Sequence, residues 1–331
     1  MQKEKTKKPQ YLVGIDLGGT TIITVVTDTK GKVIGSIKCL SEVKEGVTAV
    51  INRITDMVYA TLAKSKLSID DIVSIGIGAP GPLSTKTGVI FDAPNLDGWV
   101  NVPLRDLVKK SFKNRIPVFL ENDANAAAYG EFWVGSGKQV SNFIMLTLGT
   151  GIGGGIIIDK KLYRGPDDTA GELGHMSVFP NGPVCNCGNN GCLEAIASAT
   201  GMVNRAVDAL RLGRRSLIRE LAGNDLNQVT AKMIYQAVLK GDKLAKDIMQ
   251  ETGRYIGIAA ASLVNIFNPE IIVFSGGLMN AGDYLLTPIR EEVKRRAFPQ
   301  PAKRVKIIKA ALGEQAGAIG AAGIAYIELR S

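Results

Sequence analysis

The chain has 331 residues, 45% of them hydrophobic and 21% charged, with a formal net charge of +9. That length exceeds one comfortable hydrophobic core and suits two, and the composition is that of a self-supporting globular protein needing no disulfide staples. Residues 1–10 are polar and Lys-rich without the apolar core of a secretory signal, and the longest apolar stretch, 256–274, is interrupted by Ser262, Asn265, Asn268, Pro269 and Glu270. A cytoplasmic protein without a membrane span is expected.

The positive charge is concentrated at Lys3, Lys5, Lys7 and Lys8, and again at Lys294, Arg295, Arg296, Lys303, Arg304, Lys306 and Lys309. We read these as a solvated tail and a solvated helix end rather than a specific nucleic-acid surface.

In chain order, the first predicted strand is 11–17, a short apolar run that ends at Gly18-Gly19. A second strand at 22–27 follows, and Lys30-Gly31 turns into a third at 33–37. A helix is predicted over 47–64, with Val50, Ile54, Met57, Val58 and Leu62 on one face. A buried strand at 72–77, a helix at 104–112 and a strand at 118–120 complete this half. The same order then restarts: a strand at 142–148, a Gly-rich turn, a strand at 154–158, and a turn at Asp159-Lys160-Lys161 into residues 162–163. Helices are predicted at 200–212, 231–239 and 244–267, and a strand at 271–274 leading to Ser275-Gly276-Gly277. A last small-residue helix spans 315–329. The repeat predicts two related α/β domains facing each other across a cleft, one of residues 1–121 plus 315–331 and the other of residues 122–314.

Leu148 to Gly154 contains a G-x-G-x-x-G at Gly149, Gly151 and Gly154. A dinucleotide fold requires a helix after those glycines, and here a strand follows, so that reading fails. No Gly-Lys-Ser/Thr is present, which removes a P-loop. What remains is a β-hairpin whose glycines expose backbone N–H groups to an anion. Gly149, Thr150, Gly151 and Gly153 in the second half match Gly18, Gly19, Thr20 and Thr21 in the first, and a pair of such hairpins would grip a polyphosphate. Asp16, at the end of the first strand, is placed to hold Mg²⁺ beside the phosphates. Glu121-Asn122-Asp123 lies between a strand and a helix start, where α/β sheets present ligand-binding groups. Asp123 is the candidate general base, with a helix N-cap as its plain structural alternative.

The single histidine and three of the four cysteines fall within eighteen residues: His175, Cys185, Cys187 and Cys192. Four soft or borderline ligands complete a tetrahedral Zn²⁺ site with no position left for a substrate water, so the metal is expected to be structural. It would order a Gly- and Pro-rich loop adjoining Gly171-Glu172-Leu173-Gly174-His175.

Together, Asp16-Leu-Gly-Gly-Thr-Thr21, Glu121-Asn-Asp-Ala-Asn125, Leu148-Gly-Thr-Gly-Ile-Gly-Gly-Gly155, Gly171-Glu-Leu-Gly-His175 and Cys185-Asn-Cys-Gly-Asn-Asn-Gly-Cys192 resemble the ROK family of sugar kinases and sugar-responsive repressors, from about residue 11 onward. Within that family the chain looks most like bacterial glucokinases. The resemblance implies an actin-like (ribonuclease H-like) ATPase fold and ATP-dependent phosphorylation of glucose, with other hexoses or N-acetylhexosamines as alternatives. It implies Asp123 as catalytic base, with Asn95, Asn122, Glu172, His175 and Glu194 at the sugar, and ATP phosphates at the two hairpins. It also places Gly276 and Gly277 near the adenosine, and implies a homodimer or homotetramer. Many relatives carry a lysine where Thr21 or Ile23 stands here, which makes polyphosphate an alternative donor. Repressors of the family place a helix-turn-helix domain before this fold, and the roughly ten residues ahead of the first strand are too few for one, so a kinase is expected.

Overall fold

The computed structural model describes residues 10–93 and 96–330; the lysines at positions 3, 5, 7 and 8 lie outside them. The chain forms two compact units, one of residues 1–139, 162–170 and 311–331, the other of residues 140–161 and 171–310.

In the first unit, β1 (Tyr11–Leu17), β2 (Thr21–Asp28) and β3 (Val33–Leu40) form an antiparallel meander, and helix Val47–Lys64 follows. Next come β4 (Ile72–Ala79), a small three-stranded sheet of β5 (Leu83–Ser84), β6 (Val89–Asp92) and β7 (Val100–Val102), helix Leu104–Ser111, and β8 (Val118–Asn122). The main sheet has the order β3-β2-β1-β4-β8, with β1, β4 and β8 parallel. Val13, Ile15, Ile75, Ile77 and Leu120 make its buried face against Val50, Ile54 and Val58 of the first helix. Helix Asp123–Trp133 and the C-terminal helix Ala316–Glu328 cover the opposite side.

In the second unit, β9 (Phe143–Leu148), β10 (Ile152–Ile158), β11 (Lys161–Leu162), β12 (Ile271–Ser275) and β13 (Lys306–Lys309) give the order β11-β10-β9-β12-β13. Although Leu162 contributes to β11, the chain from this point to Ala170 packs with the first unit. Numbered by appearance within its half, each sheet reads 3-2-1-4-5, the repeat expected from the two hairpins. The core of this unit joins Ile144, Leu146, Ile272 and Phe274 to helices Ala199–Arg211, Ala231–Leu239, Lys243–Phe267 and Asp283–Arg296.

The first unit continues to Gln139, past the limit expected at residue 121. The reason is packing: Gly130 and Gly320 let helix Asp123–Trp133 and the C-terminal helix approach backbone to backbone. A Cβ at Gly320 would overlap the Ala126 carbonyl, and one at Gly130 the Ala316 carbonyl. Gly14 and Gly76 do the same between β1, β4 and the C-terminal helix, which explains its Ala- and Gly-rich sequence. The basic segment 283–296 is a helix, buried on one side through Leu285, Ile289 and Val293, and the strand Lys306–Lys309 beyond it pairs with β12. The sequence suggested only a solvated helix end here, without the helix's bounds or the strand, because their apolar positions are diluted by Lys and Arg. No helix of the described residues is long and apolar enough to cross a membrane.

Candidate functional site

In the first unit, Asp16 stands near the C-terminal end of β1, paired in register with Gly78 of β4, which in turn pairs with Glu121 of β8. Asp123 opens the helix just after β8. The parallel strands thus deliver Asp16 and Asp123 to the same edge of one sheet, where strand carbonyls end and a helix begins. Burial, and secondly the Asp123 charge, push the Asp16 carboxyl up to about 7. Its carboxylate also faces the start of the C-terminal helix, where a Cβ at Gly317 would come within 2.6 Å of its Oδ2. A carboxylate held at this cost fits a site for a hard cation, since a bound Mg²⁺ would reverse both penalties and supply charge neutralisation for phosphates.

The N-cap of the helix is Asn122, not Asp123: its Oδ1 accepts from the backbone N–H groups of Ala124 (2.9 Å) and Asn125 (3.2 Å). The plain structural reading of Asp123 therefore passes to its neighbour. Asp123 itself accepts from Ala124 N–H at 2.8 Å through Oδ1. Glu121 is buried, with Oε2 accepting from Arg164 Nε at 2.6 Å. Its Oε1 accepts from Asn122 N–H (3.0 Å) and Asn125 Nδ2 (3.1 Å). Arg164 was not among the residues singled out from the sequence; an Arg in a loop 43 residues from its partner leaves no local pattern.

In the first hairpin the Gly18 N–H bonds back to the Thr21 carbonyl at 2.9 Å, closing a tight turn whose tip is Gly19-Thr20. The second hairpin, in the other unit, is pinned more elaborately. Gly149 N–H donates to Gly151 O, Gly153 N–H to Thr147 Oγ1, and Ile152 N–H to Glu194 Oε2 at 2.8 Å. The Gly149 and Thr150 carbonyls accept from Ala199 N–H and Thr200 Oγ1, which ties the turn to a helix start. The donors of Thr150 and Gly151 enter none of these bonds, so the anion-binding capacity sits at the tip. The glycines divide accordingly. Gly276 has φ +92° and a Cβ there would strike Leu148, so the fold itself requires it. At Gly149 a Cβ would meet nothing nearer than 3.9 Å, and at Gly277 nothing within 4 Å. The chain's own packing does not explain glycine at these two positions, which leaves the backbone there open to close approach.

His175, Cys185, Cys187 and Cys192 each offer a ligand atom, all within 4.8 Å of one another. Cys185 Sγ lies 3.6 Å from His175 Nδ1, and Cys187 Sγ 3.7 Å from Cys192 Sγ. A Cys₃His set of this compactness fits Zn²⁺ held through Nδ1. The other ring nitrogen, Nε2, is 3.9 Å from Glu172 Oε2, and Glu172 is exposed. Glu194 lies in the first turn of the short helix Leu193–Ala197; with Oε2 on the hairpin, its Oε1 lies 4.0 Å from Cys185 Sγ. Glu172, His175 and Glu194, expected at the sugar, are thus gathered around the cysteine cluster of one unit. Asn95 lies outside the described residues.

A doubled 3-2-1-4-5 sheet with acidic residues and glycine hairpins at its strand ends defines an actin-like ATPase fold. The model of the ROK family matches residues 12–327, and the chain belongs to that family. It is 38% identical over 312 residues to the glucokinase of Halalkalibacterium halodurans, covering 94% of this chain and 93% of that one. It is 33% identical to the xylose repressor of Caldicellulosiruptor bescii, covering 97% of this chain and 79% of the repressor. The crystal structure of a ROK family glucokinase from Streptomyces griseus in complex with glucose and AMPPNP superimposes with a TM-score of 0.80, at 33% identity, covering 96% of this chain and 99% of that one.

Proposed function

We propose that this protein is a glucokinase that transfers the γ-phosphoryl group of ATP to the 6-hydroxyl of glucose. The observation that carries this reading is the Asp16–Asp123 pair at one sheet edge, with Asp16 pushed up to about 7 partly by its neighbour. Two acidic groups in one site suit phosphoryl transfer, where one carboxylate accepts a hydroxyl proton and the other serves the cation that accompanies the phosphates. Binding a sugar as a signal needs no such pair.

In this reading Asp123 takes the proton from the sugar hydroxyl, whose oxygen attacks the γ-phosphorus; the bond from that phosphorus to the bridging oxygen breaks and ADP leaves. Asn122, Glu172, His175 and Glu194 hold the sugar hydroxyls. The tips Gly19-Thr20 and Thr150-Gly151 offer N–H donors to the phosphates, and Gly277 lets the nucleotide approach the backbone. Zn²⁺ on His175, Cys185, Cys187 and Cys192 orders the loop that carries Glu172. The likeness to glucokinases of two organisms, one of them bound to glucose and AMPPNP, supports glucose and ATP.

The xylose repressor relative favours a second reading, a sugar-responsive regulator without turnover. A coupled assay of ADP release with ATP and Mg²⁺ across glucose, mannose, fructose, xylose and N-acetylmannosamine separates them. Turnover confined to glucose is expected. Turnover with another sugar alone would move the substrate, and silence with all of them, with polyphosphate as well as ATP, would favour the regulator.

A further inference from the structure

We propose that Arg164 is a positioning residue for phosphoryl transfer, acting through Glu121 to fix the turn that carries Asn122 and Asp123. This rests on the kinase reading of Asp123.

Glu121 is 2% exposed, and a buried carboxylate persists as an anion only where donors surround it. Its donors are arranged around Asp123. The Asn122 N–H at 3.0 Å belongs to the residue before the base, and the Asn125 Nδ2 at 3.1 Å to the residue two places after it. One carboxylate oxygen therefore brackets Asp123 along the chain and sets how the helix leaves the strand. The other oxygen is held by Arg164 Nε at 2.6 Å.

Arg164 is itself fixed. Its second terminal nitrogen donates to Glu328 Oε1 at 2.9 Å, on the C-terminal helix. Its loop is anchored four residues on, where Asp168, at φ +58°, accepts from both the N–H (2.9 Å) and the hydroxyl (3.0 Å) of Thr85. The guanidinium thus ties Glu121, two residues before the base, to the C-terminal helix, and Asp168 ties the same loop to Thr85. A countercharge serving only to neutralise Glu121 would need none of this orientation.

Displacing a reacting group by about 1 Å costs on the order of 10²-fold in rate. The experiment compares Arg164→Met, Arg164→Lys, Glu121→Gln and Glu328→Gln with the parent at saturating glucose and ATP, with melting temperatures and ATP KM measured alongside. Arg164→Met is expected to lower kcat roughly 30- to 100-fold with ATP KM within about threefold of the parent. Arg164→Lys should recover kcat to within about tenfold of the parent, because one ammonium still reaches Glu121, while losing melting temperature through the missing Glu328 bond. Glu328→Gln, whose side-chain oxygen can still accept from Arg164, should lower the melting temperature and reduce kcat by less than Arg164→Met does. Should Arg164→Met not fold, Glu121→Gln, which keeps the shape and removes the charge, is expected to lose kcat about tenfold or more. Parent-like kcat in folded Arg164→Met or Glu121→Gln would overturn the inference, as would a lysine variant as slow as the methionine one. Asp123→Asn assayed beside them separates the two ideas. If it turns over normally, the base assignment fails and this inference with it; if it is inactive while Arg164→Met is normal, the positioning role alone fails.

Discussion

The Sγ of Cys185 lies 3.6 Å from Nδ1 of His175, on the side of the imidazole away from the nitrogen that stands 3.9 Å from Glu172. One ring nitrogen is thereby directed into the cysteine cluster and the other toward a carboxylate expected to meet the sugar. An ion bound at Nδ1 would fix the ring orientation, and with it the placement of Glu172.

Removing a ligand tests that coupling. Cys187→Ser should reduce bound zinc from about one equivalent to well under half after dialysis against a mild chelator, measured by elemental analysis. Glucose KM should rise about tenfold or more while ATP KM moves little. Full zinc content with an unchanged glucose KM would detach the cluster from the sugar site.

Asp123→Asn preserves the shape of the first helical turn, since the cap belongs to Asn122. Glucose binding, followed by intrinsic tryptophan fluorescence or calorimetry, should stay within a few-fold of the parent. Turnover should fall by about 10²–10⁴. A variant retaining more than a tenth of the parent rate would remove the base from this position.

Asp16 gives a pH dependence with a definite sign. Its folded pKa, about 7, lies above the ordinary carboxylate value of 3.8, so the folded state holds the proton more tightly than the unfolded chain. The stability this contributes is full below pH 4 and is lost as pH rises through 7. In metal-free protein, Asp16→Asn should therefore be more stable than the parent above pH 7, by on the order of 4 kcal/mol, with the advantage shrinking toward zero near pH 4. Parallel melting curves from pH 4 to 8.5 check this, and curves that stay parallel over the range would show that the carboxyl titrates normally.

Gly149→Ala separates fold from ligand. The position has room for a methyl group, so the melting temperature should remain within a few degrees of the parent. If phosphates approach the backbone here, ATP KM should rise about tenfold while glucose binding is kept. Gly276→Ala, by contrast, places a Cβ against Leu148 and should be destabilised by about 2 kcal/mol or more, independently of ligand.

Much was legible from local pattern. The apolar run 11–17 ending in Gly-Gly, the period of helix 47–64 and the restart at 142 sufficed to predict a duplicated α/β chain, because strand alternation, helical period and turn glycines are written in neighbouring residues. The Cys₃His cluster was equally plain, since the grouping of the only histidine with three cysteines survives without coordinates.

Other features depended on contacts between residues far apart. The helix Asp283–Arg296 was masked by its basic face, and its apolar positions make sense only against Lys243–Phe267. The extension of the first unit to Gln139 followed from backbone approach at Gly130 and Gly320, which composition suggests but cannot pair. Sequence alone determined which residue types were available for chemistry and the order of the elements that carry them. Tertiary structure decided that Asn122 caps the helix and Asp123 does not, that Asp16 is half-buried beside a second carboxylate, and that Arg164 reaches Glu121. Burial and hydrogen-bond partners are properties of the packed chain, and only they distinguish an aspartate that ends a helix from one available for chemistry.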